Sequence, residues 1–285
     1  MSLRYWCPIE TEKFTASLDM VRYVLHFKSA SFDSNADAIL VHAPKDSDYY
    51  RARTRKPGAC VSLWRFPFGD DSAVIVGLGM VEGTGKVNER RGFLEFNPNK
   101  VASDELFGKF WGDVRGLLCK SSLVRFDAAF DYPVDRSKCH LVQDKRGYEM
   151  YRRGTLTEYL GCRNSPGRVK LYDKQAESGL DFPLTRLELT CDANWDDSFY
   201  RNKWPVVVTF SDFGNSKNGK LAVDVYMMWQ LCFLHGHRFE EYLHLYTSSR
   251  TRARLKSAVE QACSMFEFPD GVFASLRLNA AAFEV

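Results

Sequence analysis

Tyr172 lies between two lysines, Lys170 and Lys174, in the run R-V-K-L-Y-D-K of residues 168–174. A phenol has a pKa near 10 and is a weak nucleophile at neutral pH, so it needs a neighbouring cation or base before it can attack. If the segment is a strand, Lys170 shares Tyr172's face, because side chains two apart point the same way. The bond suited to such a set is a phosphodiester. Tyrosine attack leaves a phosphotyrosine ester and a free 3′-hydroxyl, and keeps the bond energy for rejoining. As a lone motif, K-x-Y-x-K also suits a structural tyrosine.

About forty residues upstream, V-R-F-D-A-A-F-D-Y (124–132) places Asp127 and Asp131 on one strand face with Arg125, and Phe126 and Phe130 on the other. Two carboxylates on one face repel unless something compensates. A hard divalent ion with oxygen ligands, Mg²⁺ or Mn²⁺, is one compensation. A pair with Arg125, or a turn cap at Tyr132-Pro133, is another. Downstream, T-R-L-E-L-T (185–190) puts Arg186 and Glu188 on one face. Glu188 then offers a third carboxylate, unless it serves a cross-strand ion pair. Glu95, in G-F-L-E-F-N-P-N-K, is a further acid at a strand end. The histidines form no H-x-H pair on a strand. His235 and His237 flank Gly236 at an expected helix break, where a cap or loop role outweighs a metal site.

Strands must hold these groups. Leu18–Lys28, Ala38–His42, Cys60–Phe66, Ala73–Leu78 and Gly92–Phe96 read as strands bounded by turn residues. A helix is predicted over Ser103–Leu118, with Ser103 as N-cap and Leu106, Phe107, Phe110, Trp111 and Val114 at helical spacing. Strands return at Ser122–Tyr132, Thr155–Leu160, Arg168–Tyr172, Leu184–Cys191 and Val206–Phe210. A short helix begins at Asp173. Helices are predicted over Leu221–Leu234, Arg238–Leu245 and Thr251–Met265, and no clear period follows Pro269. The fold class is therefore α+β, an antiparallel sheet covered by helices. Residues 1–215 read as a mixed α+β body, the one that would carry the catalytic residues, and 216–285 as a helical C-terminal region.

The 285 residues suffice for a sizeable core, and 45% are hydrophobic, as in a globular chain. No apolar run approaches the ~20 residues of a membrane span, and the first residues do not read as a signal peptide. Eight cysteines are scattered without C-x-x-C spacing, which argues against zinc knuckles and a disulfide scaffold and for reduced thiols in a cytoplasm. The net charge of +3 decides little. Local charge decides more: eight Lys/Arg against three acids lie between Lys145 and Lys174. Further basic clusters span Tyr49–Gly58 and Ser248–Lys256. Such stripes, with aromatics between, suit a phosphate backbone as well as a solvated face.

Four segments, in order, resemble the replication initiation factors of rolling-circle plasmids and filamentous phages, the trans-acting Rep type. They are E-F-N-P-N-K (95–100), V-R-F-D-A-A-F-D-Y (124–132), Y-L-G-C-R-N-S followed by R-V-K-L-Y-D-K (159–174), and T-R-L-E-L (185–189). The third is the specific one, and the resemblance covers roughly residues 90–190. It implies a nickase-like sheet with the active site on its face, and Tyr172 as the nicking nucleophile with Lys170 and Lys174 beside it. Asp127, Asp131 and Glu188 would hold the divalent metal. The family's arginine two before the tyrosine is Lys170 here, which keeps the charge and loses the bidentate fork. The paired-histidine metal motif of other rolling-circle nucleases is absent.

The implied partners are single-stranded and duplex origin DNA, a host helicase and polymerase, and a second protomer, in a bacterial cytoplasm and away from membrane. Arg125, Arg163, Arg168 and Arg186 would contact DNA near the tyrosine, and Arg250, Arg252 and Arg254 would do so from the C-terminal helices. Tyr159 is a candidate second tyrosine. Three other readings stay open: a conjugative relaxase with the same residues, an origin-binding regulator without catalysis, and a metal-dependent nuclease that uses water.

Overall fold

In a computed structural model, residues 8–44, 47–51, 58–68, 73–101, 104–153, 155–163, 165–209 and 248–285 are described. The strands are β1 (Ile9–Glu10), β2 (Thr15–Phe27), β3 (Asp48–Arg51), β4 (Cys60–Pro67), β5 (Ala73–Val81), β6 (Val87–Phe96), β7 (Leu118–Tyr132), β8 (Cys139–Leu141), β9 (Tyr148–Arg153), β10 (Thr155–Leu160), β11 (Val169–Asp173), β12 (Thr185–Asp192) and β13 (Val207–Thr209). The helices are α1 (Phe32–Leu40), α2 (Pro98–Val101), α3 (Glu105–Leu117), α4 (Lys174–Ser178), α5 (Asp197–Lys203), α6 (Ser249–Cys263) and α7 (Val272–Ala281).

One sheet takes β1 to β7 and β9 to β12 in the order β3-β4-β5-β6-β2-β7-β12-β11-β10-β9, with β1 on β2; β8 and β13 form a separate pair. Each described pairing in it is antiparallel. The expected antiparallel α+β class therefore matches the chain.

Alternation decides which face is which. Phe126, Ala128, Phe130 and Tyr132 of β7, Leu187 and Leu189 of β12, and Val169 and Leu171 of β11 are buried in one core. Phe107, Phe110 and Val114 of α3 and Phe273, Leu276 and Ala280 of α7 join that same core. The described part of the C-terminal region, residues 248–285, is thus helical and shares the core of the main sheet: Phe130 meets Phe273 at 5.4 Å between ring centroids, and Tyr23 donates its hydroxyl to the Ala280 carbonyl. α7 escaped periodicity because apolar residues line more than its buried stripe; Leu278 is exposed and Leu276 is not.

Two local expectations need correction. Ala38–Leu40 is the end of α1, whose N-cap Ser31 accepts from the Ser34 amide; a short apolar run does not by itself separate strand from helix. The N-cap of α3 is Asp104, which accepts from the amides of Leu106 and Phe107, while Ser103 lies outside the described residues. β3, β8, β9 and α5 were not expected, being short or polar. The helices predicted over Leu221–Leu234 and Arg238–Leu245, and most of the basic cluster at 49–58, also lie outside the described residues.

Candidate active site on the polar face of the sheet

The face of the sheet away from this core is polar at its centre. In register, Tyr172 of β11 stands opposite Arg186 of β12, and Lys170 opposite Glu188. Arg186 in turn stands opposite Asp131 of β7, and Glu188 opposite Ala129. The small side chain of Ala129 leaves room for the long ones around it.

Tyr172 donates its hydroxyl to Glu188 Oε1 at 2.7 Å. Lys170 Nζ lies 3.6 Å from Glu188 Oε2 and 3.6 Å from the centroid of the Tyr172 ring. Arg186 binds Asp131 with both arms, Nε and Nη2 each at 2.6 Å, and reaches Asp19 Oδ1 with Nη1 at 3.0 Å. Tyr172 is only 5% exposed, and the Glu188 side chain 14%.

These distances change what activation of the phenol would require. The sequence suggests that flanking lysines favour phenolate. Instead, burial first, and then the charge of Glu188, hold the Tyr172 phenol well above its ordinary pKa of 10, against a smaller opposing effect of Arg186. Lys174 is turned to Glu177, with Nζ to Oε2 at 2.6 Å, and Lys170 touches the ring and not the phenol oxygen. Proton removal therefore requires a base, and Glu188 already accepts that hydrogen bond. Burial, followed by repulsion from Asp19, pushes the Glu188 carboxyl up to about 7; Lys170, the Tyr172 hydroxyl and Arg186 pull the other way. A carboxyl poised there exchanges protons near neutral pH. Burial works against ionisation of Glu177, but Lys174, Lys170 and the Tyr172 hydroxyl outweigh it and hold that carboxyl below the usual range.

The loop before β11 is fixed by two glycines in left-handed geometry, Gly161 at φ 92° and Gly167 at φ 85°. A Cβ on Gly161 would lie 3.3 Å from the Arg168 Cα, so a side chain there would crowd the strand entry as well as strain the backbone. Arg146 clamps the loop by donating to the carbonyls of Gly167 at 2.7 Å and Lys203 at 2.9 Å. The most specific stretch of sequence thus holds β11 in register beneath Tyr172.

Two groups at the site had no signal in the sequence. Asp19 projects from a register shift between Leu18 and Met20, where β2 pairs with β7. It accepts from Asn97 Nδ2 at 3.1 Å as well as from Arg186. Asn99 Nδ2 donates to the Leu18 carbonyl at 2.7 Å. The N-P-N stretch therefore does more than stop β6: it holds the irregular turn that aims Asp19 at the site. Glu177 is the second such group.

The remaining candidates spread across the face. Asp127 is bound by Arg125 at 3.2 Å, and lies ~13 Å along β7 from Asp131, four residues of strand rise. Glu95 pairs with Arg22 at 3.5 Å. Asp127, Asp131 and Glu188 are thus each engaged by a different cation and do not converge. Among the described residues no three His, Cys, Asp or Glu side chains form a metal-holding group. As a single ligand set the three do not fit a divalent ion.

Arg125 and Arg186 are committed to carboxylates on the same face, so their charge serves that face before it serves a phosphate. Arg163 is exposed in the loop before β11, and Arg168 lies over the Tyr159 ring at 4.4 Å. Arg250 and Arg254 are exposed and Arg252 half-buried on α6, which packs on β13. Val207 of β13 lies in the core, so α6 belongs to the layer on the core face.

No protein-family model matches the chain, and no curated protein does. Among solved structures, a rolling circle replication initiator protein from Geobacillus stearothermophilus is similar over 76% of this chain and 96% of its own, with 11% identity and a TM-score of 0.35. At that level of likeness neither fold detail nor activity carries across. None of the described helices is long and apolar enough to cross a membrane.

Proposed function

We propose that the protein is a replication initiator that nicks one strand of a rolling-circle origin through Tyr172. The observation that carries this reading is the 2.7 Å hydrogen bond from the Tyr172 hydroxyl to Glu188, within the signature segment that resembles the trans-acting Rep type. The Tyr172 oxygen attacks the phosphorus, and its proton passes to Glu188. The P–O3′ bond breaks and the 3′ oxygen leaves as a hydroxyl, protonated from solvent. Lys170 offsets charge gathering on the phosphoryl oxygens. Arg186 orients the centre by fixing Asp131 and Asp19, and does not itself react.

The 5′ end stays esterified to Tyr172, and the free 3′-hydroxyl primes a polymerase. Origin DNA is the partner this reading requires; a helicase, a second protomer and the bacterial cytoplasm follow from the resemblance. A divalent ion enters the test and not the derived steps, since Asp127, Asp131 and Glu188 do not meet around one position.

A conjugative relaxase would use the same residues on a different DNA, so the substrate decides between the two. The test is covalent capture. Labelled single-stranded oligonucleotides tiled across the replicon that encodes the protein are incubated with it, with and without Mg²⁺ or Mn²⁺, and run on a denaturing gel. A protein–DNA band that is lost in Tyr172→Phe is expected. Cleavage without a covalent band would point to water as nucleophile. Binding without cleavage of single-stranded or supercoiled DNA would point to a regulator.

A further inference from the structure

The outer end of the same sheet face carries groups that the reaction at Tyr172 does not use. Tyr151 of β9 and Tyr159 of β10 meet edge to face, with ring centroids 5.8 Å apart and planes at 82°. The Arg168 guanidinium lies over the Tyr159 ring at 4.4 Å. Its Nε is a buried donor without a hydrogen-bond partner among the described residues. Lys170 stands opposite Tyr159 in register and lies over the ring of Tyr172. The row therefore runs from the β9 edge to the candidate nucleophile, across about 10 Å of sheet. Tyr151 is 53% exposed, and among the described residues its hydroxyl reaches only Glu149, at 3.3 Å.

Flat rings and fixed cations side by side recognise two features together. Phosphates seek the cations, while unpaired bases stack on aromatic and guanidinium planes. A duplex offers the phosphates but hides the base faces. Glu149, opposite Tyr159 on β9, puts a carboxylate at the outer rim, which steers phosphates toward Arg168 and Lys170.

We propose that Tyr151, Tyr159 and Arg168 form a stacking platform for the unpaired bases of single-stranded DNA, leading the strand to Tyr172. The platform rests on the strand-transfer reading of that tyrosine, and adds that the bases beside the cut are gripped by their faces.

The experiment uses the full chain carrying Tyr172→Phe, without divalent ions, and two fluorescent strands of equal charge. One is a twelve-residue oligothymidylate; the other is an abasic twelve-mer. Anisotropy should show the thymidylate bound about five- to a hundredfold more tightly. Tyr151→Leu should remove most of that difference, Tyr151→Phe should retain it, and neither should alter binding of the abasic strand. Tyr151 is half exposed on an edge strand, so its replacement leaves the core intact.

Equal affinity for the two strands, or a parallel loss on both in Tyr151→Leu, would overturn the platform. Tighter binding of oligouridylate than of oligothymidylate would overturn its assignment to DNA. Covalent capture separates this proposal from the one beneath it. If only the platform is wrong, adduct still forms at Tyr172; if only the strand-transfer reading is wrong, base-dependent binding persists and no adduct forms.

Discussion

The sheet carries a tyrosine–glutamate hydrogen bond on each of its two faces. On the core face, Tyr148 donates to Glu158 Oε1 at 2.6 Å, and Arg136 closes an ion pair on the other oxygen. Glu158 is 1% exposed and Arg136 4%. On the polar face, Tyr172 donates to Glu188 Oε1 at 2.7 Å, but the nearest cation to Glu188 among the described residues, Lys170, stands off at 3.6 Å. The hydrogen bonds are alike and the counter-ions are not. Glu158 is held by a buried guanidinium and by the Leu141 amide at 3.4 Å, which makes it a fixed part of the fold. Glu188 has a loose ammonium on one side and the negative Asp19 on the other, so its proton is available near neutral pH. In the proposed reaction this difference in counter-ions, and not the tyrosine–glutamate pair itself, makes one face structural and the other chemical.

The largest break in the comparison should come from Glu188→Gln. It keeps the shape of the site and removes the base, so the rate of covalent capture should fall about 10²- to 10⁴-fold, the range for a positioned acid–base group. Far-UV circular dichroism should be unchanged. A rate within a factor of three of wild type would remove Glu188 from the chemistry.

Arg136→Ala should instead act on the fold. It leaves Glu158 buried and uncompensated, a loss of about 3–5 kcal/mol in urea unfolding. Lys170→Ala, which breaks a partly exposed contact, should cost less than about 1 kcal/mol in the same measurement.

The pH dependence of capture sharpens the contrast further. Activity in the wild type should rise through a pH near the Glu188 value of about 7. Asp19→Asn removes a charge that raises that value, so the midpoint should move to lower pH. Lys170→Met removes one that lowers it, so the midpoint should move to higher pH. Shifts in the same direction, or none, would contradict the electrostatics drawn for this face.

Stability carries the same signature with a smaller amplitude. Glu188 binds its proton more tightly when folded, at about 7 against an ordinary 4.5. Its contribution is therefore fully present below about pH 4.5 and is lost as pH rises through 7. The difference between wild type and Glu188→Gln in urea midpoint should change across that window and level off above it. Lys174→Ala should have the least effect on the phenol, since its ammonium is spent on Glu177.

Much of this arrangement was legible in the chain, because strands repeat every two residues. The alternation in V-R-F-D-A-A-F-D-Y and T-R-L-E-L-T put Arg125, Asp127 and Asp131, and Arg186 and Glu188, on shared faces, as the cross-strand registers now have them. The same alternation could not say which strand lies beside which, and so could not tell that Arg186 would take Asp131 while Arg125 took Asp127. Asp19 was hidden for a different reason. β2 has two parities: Ala16 and Leu18 are buried before the irregularity, and Val21, Tyr23 and Leu25 after it. A period-2 reading fails at that change, which is where the additional carboxylate emerges. The platform tyrosine Tyr151 sits on β9, a polar strand recognisable only from its pairing with β10.

The central claim is that Tyr172 becomes joined to DNA, and peptide mapping of the trapped adduct tests it most directly. Tryptic digestion after nuclease trimming should yield Leu171–Lys174, L-Y-D-K, carrying a nucleotide through the phenol of Tyr172, with no nucleotide on peptides that contain Tyr151 or Tyr159. An adduct on either of those tyrosines, or cleaved DNA with every tyrosine unmodified, would contradict the account.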